Sequence, residues 1–364
     1  MPKFNDNNHS IFEGKNISVE VYGASHAEKI GVKIKGLKKG DTFSEEKLQA
    51  FLDRRKALKT DYSTSRGEPD VIEYVHAVKD GKITKSTLVA EIVNKTQRSS
   101  DYGDGVVLPR PSHADFVGAI KYGKNFDYRG GGKFSGRMTA PMCIAGGLFK
   151  QLLLKKGITV NAYVKSIGSA IGKGYEDVNV EDFDFSTIEN NFPLLDESVK
   201  EDMLKVTENA RKEGDSVGGT IECVVKGLPV GAGEFMFDSI ESLISKLVFS
   251  VPAVKGIEFG LGFKFGTAFG SNVNDCFYYD KQGKVKTYTN NNAGINGGIA
   301  NGMPITFRVV VKPTPSILKE QQTINLKTGK NDIIKIQGRH DACIVPRAVS
   351  VIEAVTAIAI YDLI

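Results

Sequence analysis

Residues 17–55 read ISVEVYGASHAEKIGVKIKGLKKGDTFSEEKLQAFLDRR, and a change of period inside this stretch decides the fold class. Ile17, Val19 and Val21 alternate with polar residues, the two-residue period of a half-buried strand, and run into Gly23. Val32–Gly36 predicts a second strand. Beyond Lys35-Gly36-Leu37 and a polar turn the period lengthens. Ser44 is a candidate cap there, and Leu48, Phe51 and Leu52 form the buried stripe of a helix reaching about Arg55. The same order returns at Lys226-Gly227-Leu228, followed by a helix carrying Leu243 and Leu247, which predicts an internally duplicated βα unit.

Further out, Val71–Val78 and Ile83–Val93 predict strands joined through the turn Asp80-Gly81. A helix is expected from Ser112, whose spacing to Asp115 matches a capping box. Met138–Lys156 predicts an apolar helix that stops at Gly157. Strand Ile158–Ser166, a polar helix near Glu197–Glu213, strand Thr220–Lys226 and strand Pro304–Lys312 follow. Hairpin-linked strands with helices segregated from them predict an α+β fold. No Pro/Ser-rich linker divides the chain, so residues 1–364 are expected to form a single domain.

Apolar residues make up 41% of the chain and charged residues 25%, globular proportions that leave only the polar start Met1–Ser10 as a candidate for disorder. That start is not a secretory signal, and Ala348–Ile364, the most apolar helix candidate, is too short to span a membrane and carries Glu353 and Asp362. A cytoplasmic protein is expected. Cys143, Cys223, Cys276 and Cys343 are far apart without metal-ligand spacing, so they are expected to be buried thiols, and no metal is implied. A net charge of +5, no Trp and no basic-aromatic stripe argue against nucleic-acid binding.

Only 11 of 48 basic residues are arginine, and most of those sit in polar or Gly-rich segments. Arginine offers a planar fork to carboxylate and phosphate that lysine cannot copy, so the pattern points to an anionic ligand. Ser25-His26 closes the first strand–turn unit. Arg110-Pro111-Ser112-His113-Ala114-Asp115 places an imidazole at an expected helix start, where the positive helix end would lower its proton affinity. Arg129-Gly130-Gly131-Gly132-Lys133-Phe134-Ser135-Gly136-Arg137 combines cations with a backbone able to approach a ligand closely, without the order of an NTPase phosphate loop. The Gly/Asn run 290–302 and Lys312-Pro313-Thr314-Pro315-Ser316 add a second flexible loop, a cation and two hydroxyls. Gly338-Arg339-His340-Asp341 precedes Pro346 at an expected helix start. The long loops Gly103–Pro111, Gly262–Ser271 and Lys312–Thr328 are candidates for function.

These clusters, in this order, resemble chorismate synthase across almost the full chain. The most specific matches are Arg110–Asp115, Lys121-Tyr122-Gly123 with Asp127–Gly132, Gly214–Gly219, Val254-Lys255-Gly256 and Gly338–Val349. The resemblance implies a β-α-β sandwich assembled as a homotetramer. It further implies conversion of 5-enolpyruvylshikimate 3-phosphate to chorismate and phosphate, with reduced FMN required. Carried over, His26 would be the general acid at the departing phosphate, His113 would face the reduced flavin, and Asp341 would assist proton removal from the ring. Ser25, Arg55, Arg137 and Arg339 would hold substrate anions. The flavin would rest against Lys133, Phe134, Ser135, Pro252, Ala253, Gly297, Lys312, Pro313, Thr314, Pro315, Ser316 and Arg339. NADPH or a separate flavin reductase would supply the electrons.

Several positions depart from the family's pattern: Ala24 stands for a usual Glu, Ala27 for Gly, Lys133-Phe134-Ser135 for Arg-Ser-Ser, Lys56-Ala57-Leu58 for Arg-Pro-Gly, and Asp61 for Arg. Asp61 bears on the pyridine-nucleotide contact and Phe134 on the flavin pocket. The alternative reading is a relative that binds flavin or an anion without turnover, against which His26, His113 and Asp341 argue.

Overall fold

The computed structural model of the chain describes residues 9–56, 70–94, 106–336, 338 and 340–364. The alternating N-terminal run forms β1 (His9–Glu13), β2 (Ser18–Gly23) and β3 (Lys29–Lys35). Helix α1 (Glu45–Asp53) starts as expected at Ser44, whose Oγ accepts from the Lys47 N–H at 3.1 Å. Strand β4 (Glu73–His76), the short pair β5 (Val78–Lys79) and β6 (Lys82–Ile83), and β7 (Thr87–Val93) follow. The first half ends with α2 (Asp115–Tyr122) and α3 (Thr139–Leu154).

The second half opens with β8 (Thr159–Ile167), β9 (Ala170–Ile171), α4 (Lys200–Lys212) and β10 (Gly219–Lys226). Next come α5 (Ile240–Val248), β11 (Val254–Phe259), α6 (Gly270–Val273) and the hairpin strands β12 (Phe277–Tyr279) and β13 (Val285–Thr287). The pair β14 (Ile295–Asn296) and β15 (Ile299–Ala300) precedes β16 (Ile305–Val311). The chain closes with β17 (Gln321–Asn325), β18 (Lys330–Ile334) and α7 (Val345–Asp362).

The duplication read from two Lys-Gly-Leu turns extends to whole halves. One antiparallel sheet has the order β1-β2-β3-β7-β4, the other β11-β16-β10-β8-β9. Set aside the edge additions β1 and β9, and both contain first, second, fourth and third strands in that spatial order. Helix α1 or α5 follows the second strand, and α3 or α7 follows the fourth. Gly36 (φ +85°) and Gly227 (φ +81°) make the same turn in each half, and a Cβ on either would overlap the backbone carbonyl of Asn16 or Gly157, just ahead of the partner strand. Only glycine closes that corner.

The helices pack between the sheets: α3 lies on the first, α7 on the second, and the two contact each other extensively, giving the α+β, β-α-β sandwich. Cys143 meets Ser350, Gly146 meets Ala354, and the Phe149 ring lies 4.5 Å from that of Tyr361. Residue numbers rise together along both helices, so α3 and α7 run parallel and start at the same end. Helix α7 is apolar all round because nearly all of it is buried, as the apolar run Ala348–Ile364 requires. No helix among the described residues is long and apolar enough to cross a membrane.

Some expectations need correction. His9 and Ser10 belong to β1, paired with Tyr22 and Val21, rather than to an irregular start. The run Val71–Val78 breaks at Ala77 (φ +69°), and Ile83–Val93 breaks between β6 and β7. Residues 262–271 fold into a 3-10 turn and the start of α6, and the loop after Lys312 becomes strand at Gln321. Cys143 and Cys223 are buried, but Cys276 is exposed on the segment before β12.

Candidate active site

Because α3 and α7 start at the same end, the described parts of the connections leading into them, residues 106–138 and 312–336 with 340–344, arrive side by side. They are stitched together there. Leu326 N donates to Val107 O at 3.0 Å, Thr323 Oγ1 to Pro109 O at 2.5 Å, Arg110 Nη1 to Ser316 Oγ at 3.1 Å, and Lys312 Nζ to Ser112 O at 2.7 Å. Two helix N-termini with their outward N–H groups therefore converge on one region, which favours negative charge.

The glycine run lies across this region. Gly130, Gly131 and Gly132 take φ of +57°, +85° and +54°, and Ser25 N donates to Gly132 O at 3.1 Å. A Cβ on Gly130 would stand 2.8 Å from both His26 Nε2 and Ser25 Oγ, and one on Gly131 would stand 3.6 Å from His113 Nε2. The structure thus brings Ser25, His26 and His113 around one turn, although they are 88 positions apart at the extremes of that set.

His113 is not held as the sequence suggested. Helix α2 begins at Asp115 with Ala114 as its cap, Ser112 adopts φ +57°, and no capping box forms. The Asp115 carboxylate is occupied by side chains instead. It accepts from Arg110 Nε at 2.7 Å and Nη2 at 2.9 Å, and lies 2.7 Å from His113 Nδ1. Burial alone would raise the proton affinity of Asp115, but Arg110 and His113 outweigh it and hold the carboxyl well below the usual range. A carboxylate only accepts, so Nδ1 donates to it, which leaves Nε2 on the side of Gly131.

A second group of charges lies at the helix starts. Arg55, buried at the end of α1, donates Nη2 to Asp70 at 2.8 Å and reaches Gly136 O and Thr139 Oγ1 at 3.4 Å. Arg137 gives Nη1 to the other Asp70 oxygen, and Nε and Nη2 to Asn94 Oδ1 at 3.1 and 3.0 Å. Arg347 pairs with Asp341 and donates Nε to Arg55 O at 3.2 Å, while Thr314 Oγ1 donates to Asp341 O at 3.0 Å. Burial raises the proton affinity of Asp70, and the two arginines reverse that shift, leaving it ionised. Arg55 Nε is buried and has no acceptor among the described residues.

Of the expected cofactor contacts, Lys133 to Ser135 close the glycine turn. The Lys133 Nζ lies 3.6 Å above the Tyr122 ring, and Phe134 packs against Tyr122 and Phe126. Lys312 N donates to Ala253 O at 2.9 Å, which brings Pro252-Ala253 beside Lys312–Ser316. Burial, and then neighbouring Lys255, lower the proton affinity of Lys312. Gly297 is not gathered in: it tips the β14–β15 turn, and adjoining Gly298 O accepts from Ile240 N at the start of α5. Arg339, Asp61, Ala57 and Leu58 lie outside the described residues, as does 103–105 of the Gly103–Pro111 loop.

Sequence reasoning passed over Asp70 and Asn94, which organise the arginines, and gave Arg347 no role. Asp70 and Asn94 belong to no motif, Arg347 sits inside the Gly338–Val349 match without a role of its own, and the partners of the three are 6–292 positions away. Two cavities, of about 670 Å³ beside Tyr278, Tyr288 and Arg308 and about 480 Å³ beside Glu45, Gln49 and Tyr74, lie elsewhere. The site is marked by convergent charge. Among the described residues no group of three or more His, Cys, Asp or Glu could hold a metal ion.

Comparison with known proteins agrees with this architecture. The family model described as chorismate synthase matches residues 17–364. Chorismate synthase of Lachnoclostridium phytofermentans is 44% identical over 96% of this chain and 94% of its own, and that of Thermococcus gammatolerans is 41% identical over 96% of each. A crystal structure of chorismate synthase superimposes with a TM-score of 0.72 at 26% identity, covering 96% of this chain and 92% of the other. With the family's pattern running from β2 to the last residue and the same fold around it, the chain belongs to the chorismate synthase family of lyases.

Proposed function

We propose that the chain converts 5-enolpyruvylshikimate 3-phosphate to chorismate and phosphate by anti-1,4-elimination, the seventh step of the shikimate pathway of aromatic amino-acid biosynthesis. The observation that carries this reading is the pair of imidazole Nε2 atoms at one glycine turn, beside two helix N-termini and the Arg55–Asp70–Arg137 group. The substrate has two carboxylates and a phosphate. Guanidinium forks and helix ends suit all three.

In this reading Arg55, Arg137 and Ser25 bind and orient the substrate anions, and Arg339 joins them. The ring C–H bond and the bond from carbon to phosphate oxygen both break, and a conjugated double bond forms. His26 Nε2 gives its proton to the departing phosphate oxygen. Asp341, fixed by Arg347, assists removal of the ring proton. His113, anchored through Nδ1, exchanges a proton at Nε2 on the side of Gly131. Atoms balance without net oxidation.

Reduced FMN, when bound, supplies an electron transiently and recovers it. The residues present fit such a group. The Gly130–Gly131 turn brings bare backbone up to His26 and His113, Lys133–Ser135 follow it in the chain, and Lys312 Nζ reaches Ser112 O beside His113 while Lys312 N donates to Ala253 O. Gly297 would join from another copy of the chain in the homotetramer proposed here. A single domain over residues 1–364, a cytoplasmic location, and NADPH or a separate reductase as electron source complete the proposal.

The test is phosphate release from the enolpyruvyl substrate, anaerobically, with chemically reduced FMN. Stoichiometric chorismate and phosphate with no net flavin consumption are expected. Binding of flavin and substrate without phosphate release would favour the non-catalytic flavin- or anion-binding relative.

A further inference from the structure

The geometry points to Asp70 as a positioning residue that sets the spacing and tilt of the Arg55 and Arg137 guanidinium groups for the substrate's anions. This rests on the reading that those two arginines bind substrate. Asp70 is 2% exposed and stands just ahead of β4, while Arg55 follows α1 and Arg137 precedes α3. One carboxylate oxygen takes Arg55 Nη2 at 2.8 Å and the other takes Arg137 Nη1. No other described side chain is hydrogen-bonded to both arginines.

A carboxylate is suited to this position because both its oxygens accept, so it can pull two forks together without turning either away. The asparagine amide of Asn94 does something different: its single oxygen takes Nε and Nη2 of Arg137 alone. Asn94 therefore fixes the plane of one guanidinium, and Asp70 fixes the distance between two. The buried Arg55 Nε, which has no acceptor among the described residues, belongs to the same planar group, held at Nη2 by Asp70 and at Nη1 by Gly136 O and Thr139 Oγ1.

Two effects compete when Asp70 is changed. Removing its charge makes the region more positive, which alone would tighten anion binding. Removing its bridge lets two arginines repel and separate, which loosens binding. The inference is that the second effect wins, because a bidentate fork loses its geometric match on small displacements.

The experiment measures KM and kcat for the enolpyruvyl phosphate substrate, anaerobically with reduced FMN, in wild type, Asp70→Asn and Asp70→Glu, together with melting curves. Asp70→Asn keeps one accepting oxygen but turns an amide donor to the second arginine. KM is expected to rise about tenfold or more in both variants, the loss of roughly one charge-assisted hydrogen bond, with kcat within about twofold at that level of precision. Asp70→Glu keeps the charge and shifts it by one methylene. Wild-type KM in Asp70→Glu would mean charge balance rather than positioning, and a lower KM in Asp70→Asn would mean that Asp70 acts only as a counterion. Either result overturns the proposal. A lower kcat and melting temperature with unchanged KM would overturn it in favour of a purely structural role.

If Asp70→Asn does not fold, Asp70→Glu carries the comparison. If wild type releases no phosphate, the lyase reading fails, and crystal structures of wild type and Asp70→Glu still decide the present point. The two guanidinium groups shift together in the variant if Asp70 positions them, and keep their places if it does not.

Discussion

His26 and His113 direct their Nε2 atoms at neighbouring residues of one turn, Gly130 and Gly131, although one histidine ends the β2 unit and the other precedes α2. The turn is therefore a spacer between two proton-carrying groups. Gly130→Ala tests this. Its Cβ would stand 2.8 Å from His26 Nε2, and φ +57° costs a non-glycine residue about 1–2 kcal/mol. The expected result is a melting temperature lower by a few degrees and turnover lower by about 10²-fold, the effect of misplacing a reacting group. Unchanged turnover would separate the turn from the chemistry.

Glu353 is 0% exposed in the middle of α7, yet Arg54 grips both its oxygens at 2.9 and 2.8 Å, Lys150 adds a contact at 2.7 Å, and Ala162 N donates at 3.1 Å. Burial raises its proton affinity, but Lys150 and Arg54 overcome this and depress the carboxyl to about 2. A depressed folded value means the stabilisation is present above the unfolded carboxylate's range and is lost as pH falls through the folded value. Glu353→Gln should be less stable than wild type at pH 7 by about 3 kcal/mol or more, the usual cost of breaking a buried pair. That gap should narrow between about pH 4 and pH 2. Urea unfolding of both proteins at several pH values checks it, and a constant gap would rule out the ionised carboxylate as its source.

Gly146→Ala reverses an ordinary expectation. In a helix interior this exchange normally stabilises by about 1 kcal/mol. Here the new methyl would overlap the backbone of Ala354 on α7. Forcing α3 and α7 apart should cost about 1–3 kcal/mol and blunt the site at their starts. Denaturant midpoints and KM, measured together, should both worsen. A more stable variant would show that the helices do not meet this closely.

The sequence made the elements legible where their causes are local. The period of Ile17–Val21, the Ser44 cap and the Gly157 stop are each set by neighbours a few residues away. It also carried the duplication, since a Lys-Gly-Leu corner needs glycine for a steric reason repeated in both halves. What it could not show was the parallel alignment of α3 and α7, a product of packing between halves, and hence why Arg55, Arg137 and Arg347 meet. Asp115 shows how a local rule misleads. Its spacing from Ser112 fits a capping box, but Arg110 and His113 offer its carboxylate stronger, charged partners, and the helix starts later. Asp70 carries no local signal, because its meaning lies in two distant arginines.

The last prediction separates the two histidines. His113 is anchored: Nδ1 faces Asp115 at 2.7 Å, and Asp115 is held by Arg110, which also reaches Ser316 on the segment expected to lie against the flavin. His26 instead shares the Gly130 corner with Ser25, on the side expected for phosphate. His26→Ala should slow phosphate departure while leaving flavin binding intact. His113→Ala should alter the pH dependence of the bound reduced flavin's absorbance and slow turnover as well, each loss falling in the range of about 10²–10⁴-fold for a missing general acid or base. Asp115→Asn should reproduce the His113 phenotype more weakly, because its amide can still accept from Nδ1 but no longer pairs with an ionised Arg110. Single-turnover kinetics with reduced FMN, recording flavin spectra and phosphate together, test all three. Near-wild-type turnover in both histidine variants would remove the catalytic assignment. Spectral changes confined to His26→Ala would exchange the two roles, and an Asp115→Asn protein that behaves like His26→Ala would detach His113 from its anchor.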